Sequence, residues 1–268
     1  MSSRAQTSVV SRRGSADLLM LDVGNSKMQG VLVRGGVERW RWRVDYATAN
    51  ARWSRQARAG LVAARRLGGE RVPVVVTSVV PRRADVVERQ ARALGWRRVR
   101  RLAATDTWPF HTDVEHPETL GVDRLANVAG LVALGLRNGI ALDAGTAITI
   151  DVLERGVHRG GLILPGLGLW AAALHAHTAQ LPRVVWNPQS AMIGADTRSA
   201  LEAGMRFGVE GALRGIVGAL RAGARGAVAI VFTGGDGARL HAACAFSETR
   251  FEPDLLYRGM RLVASARP

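Results

Sequence analysis

The alternation of apolar and polar positions becomes regular from Asp17 onward. Residues 18–21 form a short apolar run, Asp22-Val23-Gly24-Asn25-Ser26 follows as a turn-rich segment, and a second apolar run at 31–33 leads to Gly35-Gly36. Two apolar runs around turn residues predict a β-hairpin. Trp40, Trp42 and Val44 alternate with arginines, which predicts a third strand with one buried face. Residues 51–67 carry apolar positions at helical spacing, and residues 74–80 form a β-branched run fit for a buried strand. Pro81-Arg82-Arg83 then leads into a second predicted helix over about residues 84–94.

Around Gly139 the same order starts again. Residues 140–142 are apolar, Asp143-Ala144-Gly145-Thr146 makes a turn, and residues 148–153 form another apolar-rich run before a turn at Gly156. This repeats the strand, Asp-x-Gly-polar turn, strand arrangement at Asp22, and such an echo predicts two similar lobes. Residues 167–174 and 198–220 read as helices, and residues 228–232 as a buried strand ending at Thr233-Gly234-Gly235. The fold class is therefore α/β with two duplicated lobes. The expected division is 17–137 for the first lobe, 138–251 for the second, and a return of 252–268 to the first.

Composition adds limits more than content. The chain has 268 residues, 47% of them apolar, and no apolar run approaches the roughly 18 residues that a membrane-spanning helix needs. Residues 1–16 contain Arg4, Arg12 and Arg13 without an apolar core, so they read as a disordered arm and not as a secretory signal. Cys244 is the sole cysteine, which excludes an internal disulfide and fits a reducing, cytoplasmic setting. The net charge of +15 would suit a nucleic-acid partner. Yet the arginines are scattered in pairs along the chain and Lys27 is its only lysine, a pattern that fits a compositional bias of the genome. A small-molecule site is therefore favoured over nucleic acid, with no membrane partner. The six histidines show no metal spacing. Trp170 and Trp186 read as core or interface residues.

The chemistry begins with the two Asp-x-Gly turns. Glycine lets the backbone approach a ligand, successive N–H groups can point at an anion, and the carboxylate at the strand end can hold a cation. One such turn is also an ordinary hairpin turn, whereas two copies in equivalent settings are harder to treat so. Thr233-Gly234-Gly235-Asp236 allows close approach to a nucleoside, or is a plain turn. Walker and Rossmann glycine patterns are absent from the sequence. Asp123 and Arg124 stand side by side at the start of a predicted helix. There Asp123 can accept the proton of an attacking hydroxyl and Arg124 can fork onto a carboxylate. The alternative is a helix-capping Asp beside an exposed Arg.

The order of the three glycine turns resembles the actin, hexokinase and acetate kinase superfamily, in which ATP lies between duplicated lobes. The run Pro117-Glu118-Thr119-Leu120-Gly121-Val122-Asp123-Arg124-Leu125-Ala126-Asn127 resembles the signature of type III pantothenate kinases, a family that includes the Bvg accessory factor proteins. The Asp22–Ser26 and Asp143–Asp151 segments, Gly160 through Gly166, Thr178 through Pro182, Thr197 through Gly204 and Pro253-Asp254-Leu255 are similar to that family in the same order.

The resemblance implies phosphorylation of pantothenate by ATP, the first step of coenzyme A synthesis, with Asp123 as general base. It implies that Gly121, Val122, Asp123, Arg124 and Thr197 bind pantothenate. ATP would be held by Asp22, Val23, Gly24, Asn25, Ser26, Lys27, Met28, Gln29 and Thr146. Asp22 would serve Mg²⁺, directly or through water, and Asp143 a monovalent cation, K⁺ or NH₄⁺. It further implies a homodimer. Two positions depart from the pattern: Gln29 stands where many members carry lysine, and Val114 where many carry tyrosine. The rival expectation is a transcriptional accessory factor of the same fold without catalysis.

Overall fold

The computed structural model describes residues 17–49, 52–224 and 226–265. The expected arm over residues 1–16 lies outside them, as do residues 266–268. In the first sheet β1 (Leu18–Val23), β2 (Lys27–Arg34) and β3 (Val37–Asp45) run antiparallel. β4 (Val74–Ser78) and β5 (Val99–Arg101) add in parallel on the other side of β1. The connections are helical. α1 (Tyr46–Ala49) and α2 (Trp53–Gly68) precede β4, and α3 (Pro81–Ala93) precedes β5.

The third strand forms as its alternation predicts, and glycine decides how it packs. A side chain at Gly30 or at Gly60 would run into the Trp42 ring, so the indole is sandwiched between bare backbone of β2 and α2. Helix α3 starts at Pro81, earlier than expected, because proline at the first helical position loses no hydrogen bond and presets φ. β4 ends at Ser78 and not at residue 80. The Ser78 Oγ accepts the Val80 N–H at 2.9 Å and turns the chain into α3.

The second sheet repeats this plan. β7 (Gly139–Ala144), β8 (Ala147–Glu154) and β9 (Val157–Pro165) are antiparallel, and β10 (Ala229–Thr233) and β11 (Thr249–Phe251) continue in parallel from β7. The first sheet runs β3-β2-β1-β4-β5, and the second runs β9-β8-β7-β10-β11 with β6 (His111–Thr112) added outside β9. α5 (Leu167–Ala176) and α6 (Thr197–Gly223) lie between β9 and β10, and α7 (Gly237–Cys244) between β10 and β11. Helix α6 starts at a reciprocal cap, in which Asp196 and Ser199 bond each other's backbone N–H.

Each half ends in one helix, α4 (Val122–Ala133) and α8 (Leu255–Ser265), and the two pack on each other. The approach is close because glycine faces backbone: a Cβ at Gly259 would collide with the Ala126 carbonyl, and one at Gly130 with that of Leu255. Four apolar layers result among the described residues, one of them Val128, Leu131, Ala141 and Val231 between α4 and the second sheet. Leu19, Leu21, Val23, Met28 and Trp42 pack under α2 and α3. Leu18, Met20, Val31 and Val33 on the opposite face pack against α4 and α8. Ile140, Leu142, Trp186 and Phe232 belong to the core of the second half, with Trp170 at its margin. Among the described residues no helix is long and apolar enough to cross a membrane.

Candidate active site

A cleft of about 300 Å³ opens where the ends of β1 and β7 meet. Both Asp-x-Gly turns close through the glycine N–H, but not alike: Gly24 donates to the Lys27 carbonyl three residues on at 3.0 Å and Gly145 to that of Ala147 two residues on at 2.9 Å, so the first turn is one residue longer. The two turns touch through a hydroxyl–hydroxyl hydrogen bond of 2.7 Å between Ser26 Oγ and Thr146 Oγ1. The third glycine turn is tied to the second, since Asp236 N–H donates to the Ala144 carbonyl at 2.9 Å. Gly234 there has φ +88°, and a Cβ would run into Asp143 Oδ1. It is part of the cleft and not a plain turn.

Three carboxylates converge on this space, Asp22 from β1, Asp143 from β7 and Asp123 from the first turn of α4. Burial, and then the charges of Asp123 and Asp143, push Asp22 up to about 7, against the Thr77 hydroxyl at 3.2 Å and the positive charge of Lys27. Burial also raises Asp143, opposed chiefly by the Asn127 amide, which donates to Oδ2 at 2.9 Å. Burial likewise raises Asp123, opposed by the Arg124 N–H at 2.8 Å. Asn127 is 1% exposed, and its Oδ1 is buried without a donor.

These features fit cations. Buried carboxylates that repel one another, beside an uncommitted amide oxygen, gain from a positive charge. Among the described residues no group of three or more His, Cys, Asp or Glu side chains forms a metal cage. Mg²⁺ in phosphoryl-transfer sites needs none, because one or two carboxylates, substrate phosphates and water complete its shell.

The expected site residues divide. Asp22, Gly24, Asn25, Ser26, Lys27, Gln29, Asp123, Asp143 and Thr146 all line the cleft. Val23 and Met28 do not: strand alternation buries both side chains in the first core, so only their backbone belongs to the turn. Val122 points into the layer under α4. Thr197 is an exposed first residue of α6 and, like Gly121, does not line the cleft. Asp123 is not the helix cap, a place taken by Gly121, and Arg124 is not an exposed arginine. Arg124 forks onto Asp151, with Nε at 3.1 Å from each oxygen and Nη2 at 2.7 Å from Oδ1. Asp151 is 1% exposed and also meets the buried His158 through Nε2 at 3.0 Å.

Sequence reasoning missed Arg41, Arg43, Thr149 and Tyr257, which line the same cleft. Arg41 and Arg43 are the polar positions of the Trp40-Trp42-Val44 alternation, so the signal lay in the face opposite the one that was read. Arg41 bonds Asp254 at 2.7 Å and lies over the Tyr257 ring, whose buried hydroxyl has no partner.

The sequence profile of the type III pantothenate kinases matches residues 18–219. The chain belongs to that family. It is 35% identical over 256 residues to the type III pantothenate kinase of Zymomonas mobilis, covering 92% of this chain and 91% of that one. A type III pantothenate kinase is by class a phosphotransferase. Solved structures are similar in fold at lower identity. A Campylobacter jejuni protein described as a Baf family transcriptional activator aligns at TM-score 0.57 and 21% identity, over 91% of this chain and 96% of that one. A Sinorhizobium meliloti protein described as a 2-dehydro-3-deoxygalactonokinase aligns at TM-score 0.56 and 16% identity, over 92% and 98%. The α/β architecture with two sheets is thus shared with these proteins.

Proposed function

We propose that this protein transfers the γ-phosphoryl group of ATP to the primary hydroxyl of pantothenate, giving 4′-phosphopantothenate and ADP in the first step of coenzyme A synthesis. The observation that carries the reading is the meeting of Asp22, Asp123 and Asp143 at the contact between two matched turns. Asp123 takes the hydroxyl proton as the oxygen bonds to phosphorus and the bond to the ADP oxygen breaks. A carboxylate raised by burial is the better base for that step. The turn residues Asp22 through Ser26, with Lys27, Gln29 and Thr146, hold the phosphates. Mg²⁺ at Asp22 supplies neutralisation of phosphate charge, and Asp143 with the Asn127 Oδ1 provides ligands for K⁺ or NH₄⁺. Arg124, fixed by Asp151, keeps its Nη1 for the pantothenate carboxylate, next to Gly121 and Val122, with Thr197 adding a hydroxyl.

The working form is a cytoplasmic homodimer. Its support is the apolar surface at Ile163, Met192 and Ile193, the last two exposed by 73% and 86%. The lobes divide at 137/138, save that β6 joins the second sheet, with the segment from 252 returning to the first. The deciding experiment is ATP consumption with pantothenate, Mg²⁺ and K⁺ or NH₄⁺, beside Asp123→Asn. Turnover that needs pantothenate and that the variant loses supports the reaction and the base. A folded protein without turnover under either cation overturns them and directs attention to DNA binding and its salt dependence.

A further inference from the structure

The buried carboxylate of Asp151 has two partners, Arg124 and His158. Arg124 reaches both carboxylate oxygens through Nε and adds Nη2 on Oδ1, and its Nη1 makes no bond among the described residues. His158 Nε2 stands 3.0 Å from the same Oδ1, and a ring nitrogen facing a carboxylate at that distance carries the proton. The other ring nitrogen, Nδ1, is buried without a partner, and Phe110 meets the ring in a T-shaped contact at 5.9 Å between centres. The imidazole therefore has one polar contact, and that contact is Asp151. The backbone adds to its placement. His158 lies opposite Thr112 of β6, and its carbonyl accepts the Asp113 N–H at 2.9 Å. His158 thus stands where the segment leading to Asp123 docks on the second sheet. Burial first, and the charge of Asp151 as well, raise Asp123, so this group lies beside the proposed base.

We propose that His158 is a positioning residue for the pantothenate carboxylate: its Nε2–H holds the Asp151 carboxylate in the orientation that leaves the Arg124 Nη1 aimed at the substrate. This rests on the kinase reading above, and adds to it a residue that touches neither substrate nor nucleotide. An arginine on a carboxylate with no other donor can shift between forked and single-bonded pairings. A second donor on Oδ1 removes that freedom, and a guanidinium held in one place binds an incoming carboxylate without first being ordered. The competing account gives His158 a purely structural part, as filler beneath Phe110 that joins β6 to β9.

Pantothenol, in which a hydroxymethyl group replaces the carboxylate, separates the two accounts. His158→Phe keeps a ring and removes the donor. It is expected to raise the pantothenate KM by about 10–100-fold, with kcat and the ATP KM within about threefold of the parent. With pantothenol, parent and variant are expected to share kcat/KM within about threefold, because Arg124 has no carboxylate to meet. Gln and Met have similar length, so His158→Gln and His158→Met isolate the donor even if the Phe variant does not fold. The Gln variant is expected to keep the preference for pantothenate over pantothenol within about threefold of the parent, and the Met variant to lose it. A preference unchanged in His158→Phe, or equal in the Gln and Met variants, would overturn the assignment whether the rates themselves hold or fall. Calorimetric titration of pantothenate gives the same comparison without turnover. Turnover with an unchanged preference sinks the role of His158 alone. Pantothenate binding that weakens in His158→Phe, with no turnover by the parent, sinks the kinase reading alone, and a parent that binds no pantothenate sinks both.

Discussion

The two Asp-x-Gly turns share their place in the sheet plan and differ by one residue in length and in what answers the carboxylate. Both sit between antiparallel strands of the same sheet plan, and their hydroxyls meet. At the first turn the carboxylate of Asp22 has a hydroxyl, Thr77, and a nearby ammonium, Lys27. At the second, Asp143 shares the charge of Lys27 but has a neutral amide, Asn127, with one oxygen left over, in place of the hydroxyl. Duplication therefore supplies two equivalent positions for charge, and local neighbours assign them different partners. The Lys27 ammonium, felt at both carboxylates, suits a polyanion, and the spare Asn127 oxygen beside Asp143 suits a cation. A symmetric pair of turns could not do both.

The strongest way to break this comparison is to neutralise each carboxylate in turn. Asp22→Asn is expected to lower kcat by about 10²–10³-fold with either K⁺ or NH₄⁺ present. Asp143→Asn should instead abolish the response to the monovalent cation while Mg²⁺ dependence persists, read by titrating each ion in steady-state assays.

Stability should move the other way. Asp22 is raised from 3.8 to about 7, so between those values the folded chain holds a proton that the unfolded chain has lost. Stability then falls as pH rises through that window and levels off above it. Asp22→Asn should accordingly stabilise the ligand-free protein at pH 8 by on the order of 2–4 kcal/mol, with little gain at pH 4, measured by denaturant unfolding. Gly259→Ala probes the seam between the halves. It forces α8 off the Ala126 carbonyl and should cost roughly 1–3 kcal/mol in the same assay. The smallest effect belongs to the hydroxyl contact. A double-mutant cycle on Ser26→Ala and Thr146→Ala should give about 0.5–1.5 kcal/mol of coupling, and additivity would mean that the turns act independently.

Much of this plan was readable before any coordinates. The strands show as short apolar runs, two of which stop at Asp-x-Gly, with period-two alternation in β3, and the duplication shows because that order recurs. The signature around Asp123 adds the family, which the comparisons show, and the general base as a proposal. What escaped depends on register and on distant partners. Arg41 and Arg43 reach the cleft only because β3 pairs with β2 so that Arg43 stands opposite Gln29. Tyr257 arrives from a helix at the far end of the chain. The fate of Arg124 needed Asp151 and His158, which approach across β8 and β9 where a bulge shifts their pairing. Val23 and Met28 were counted with the turn because motifs are contiguous, while side chains on a strand alternate.

The pairing of α8 with α4 has a consequence for synthesis on the ribosome. Tyr257, Met260 and Val263 pack in one layer with Leu18, Met20 and Val31 from near the start of the chain. The first sheet therefore emerges early, and until α8 is made α4 covers only part of this face. Its completion is a late event, and a truncated nascent chain would carry exposed apolar strands. Loss of the final helix strips the oldest part of the polypeptide, not the newest.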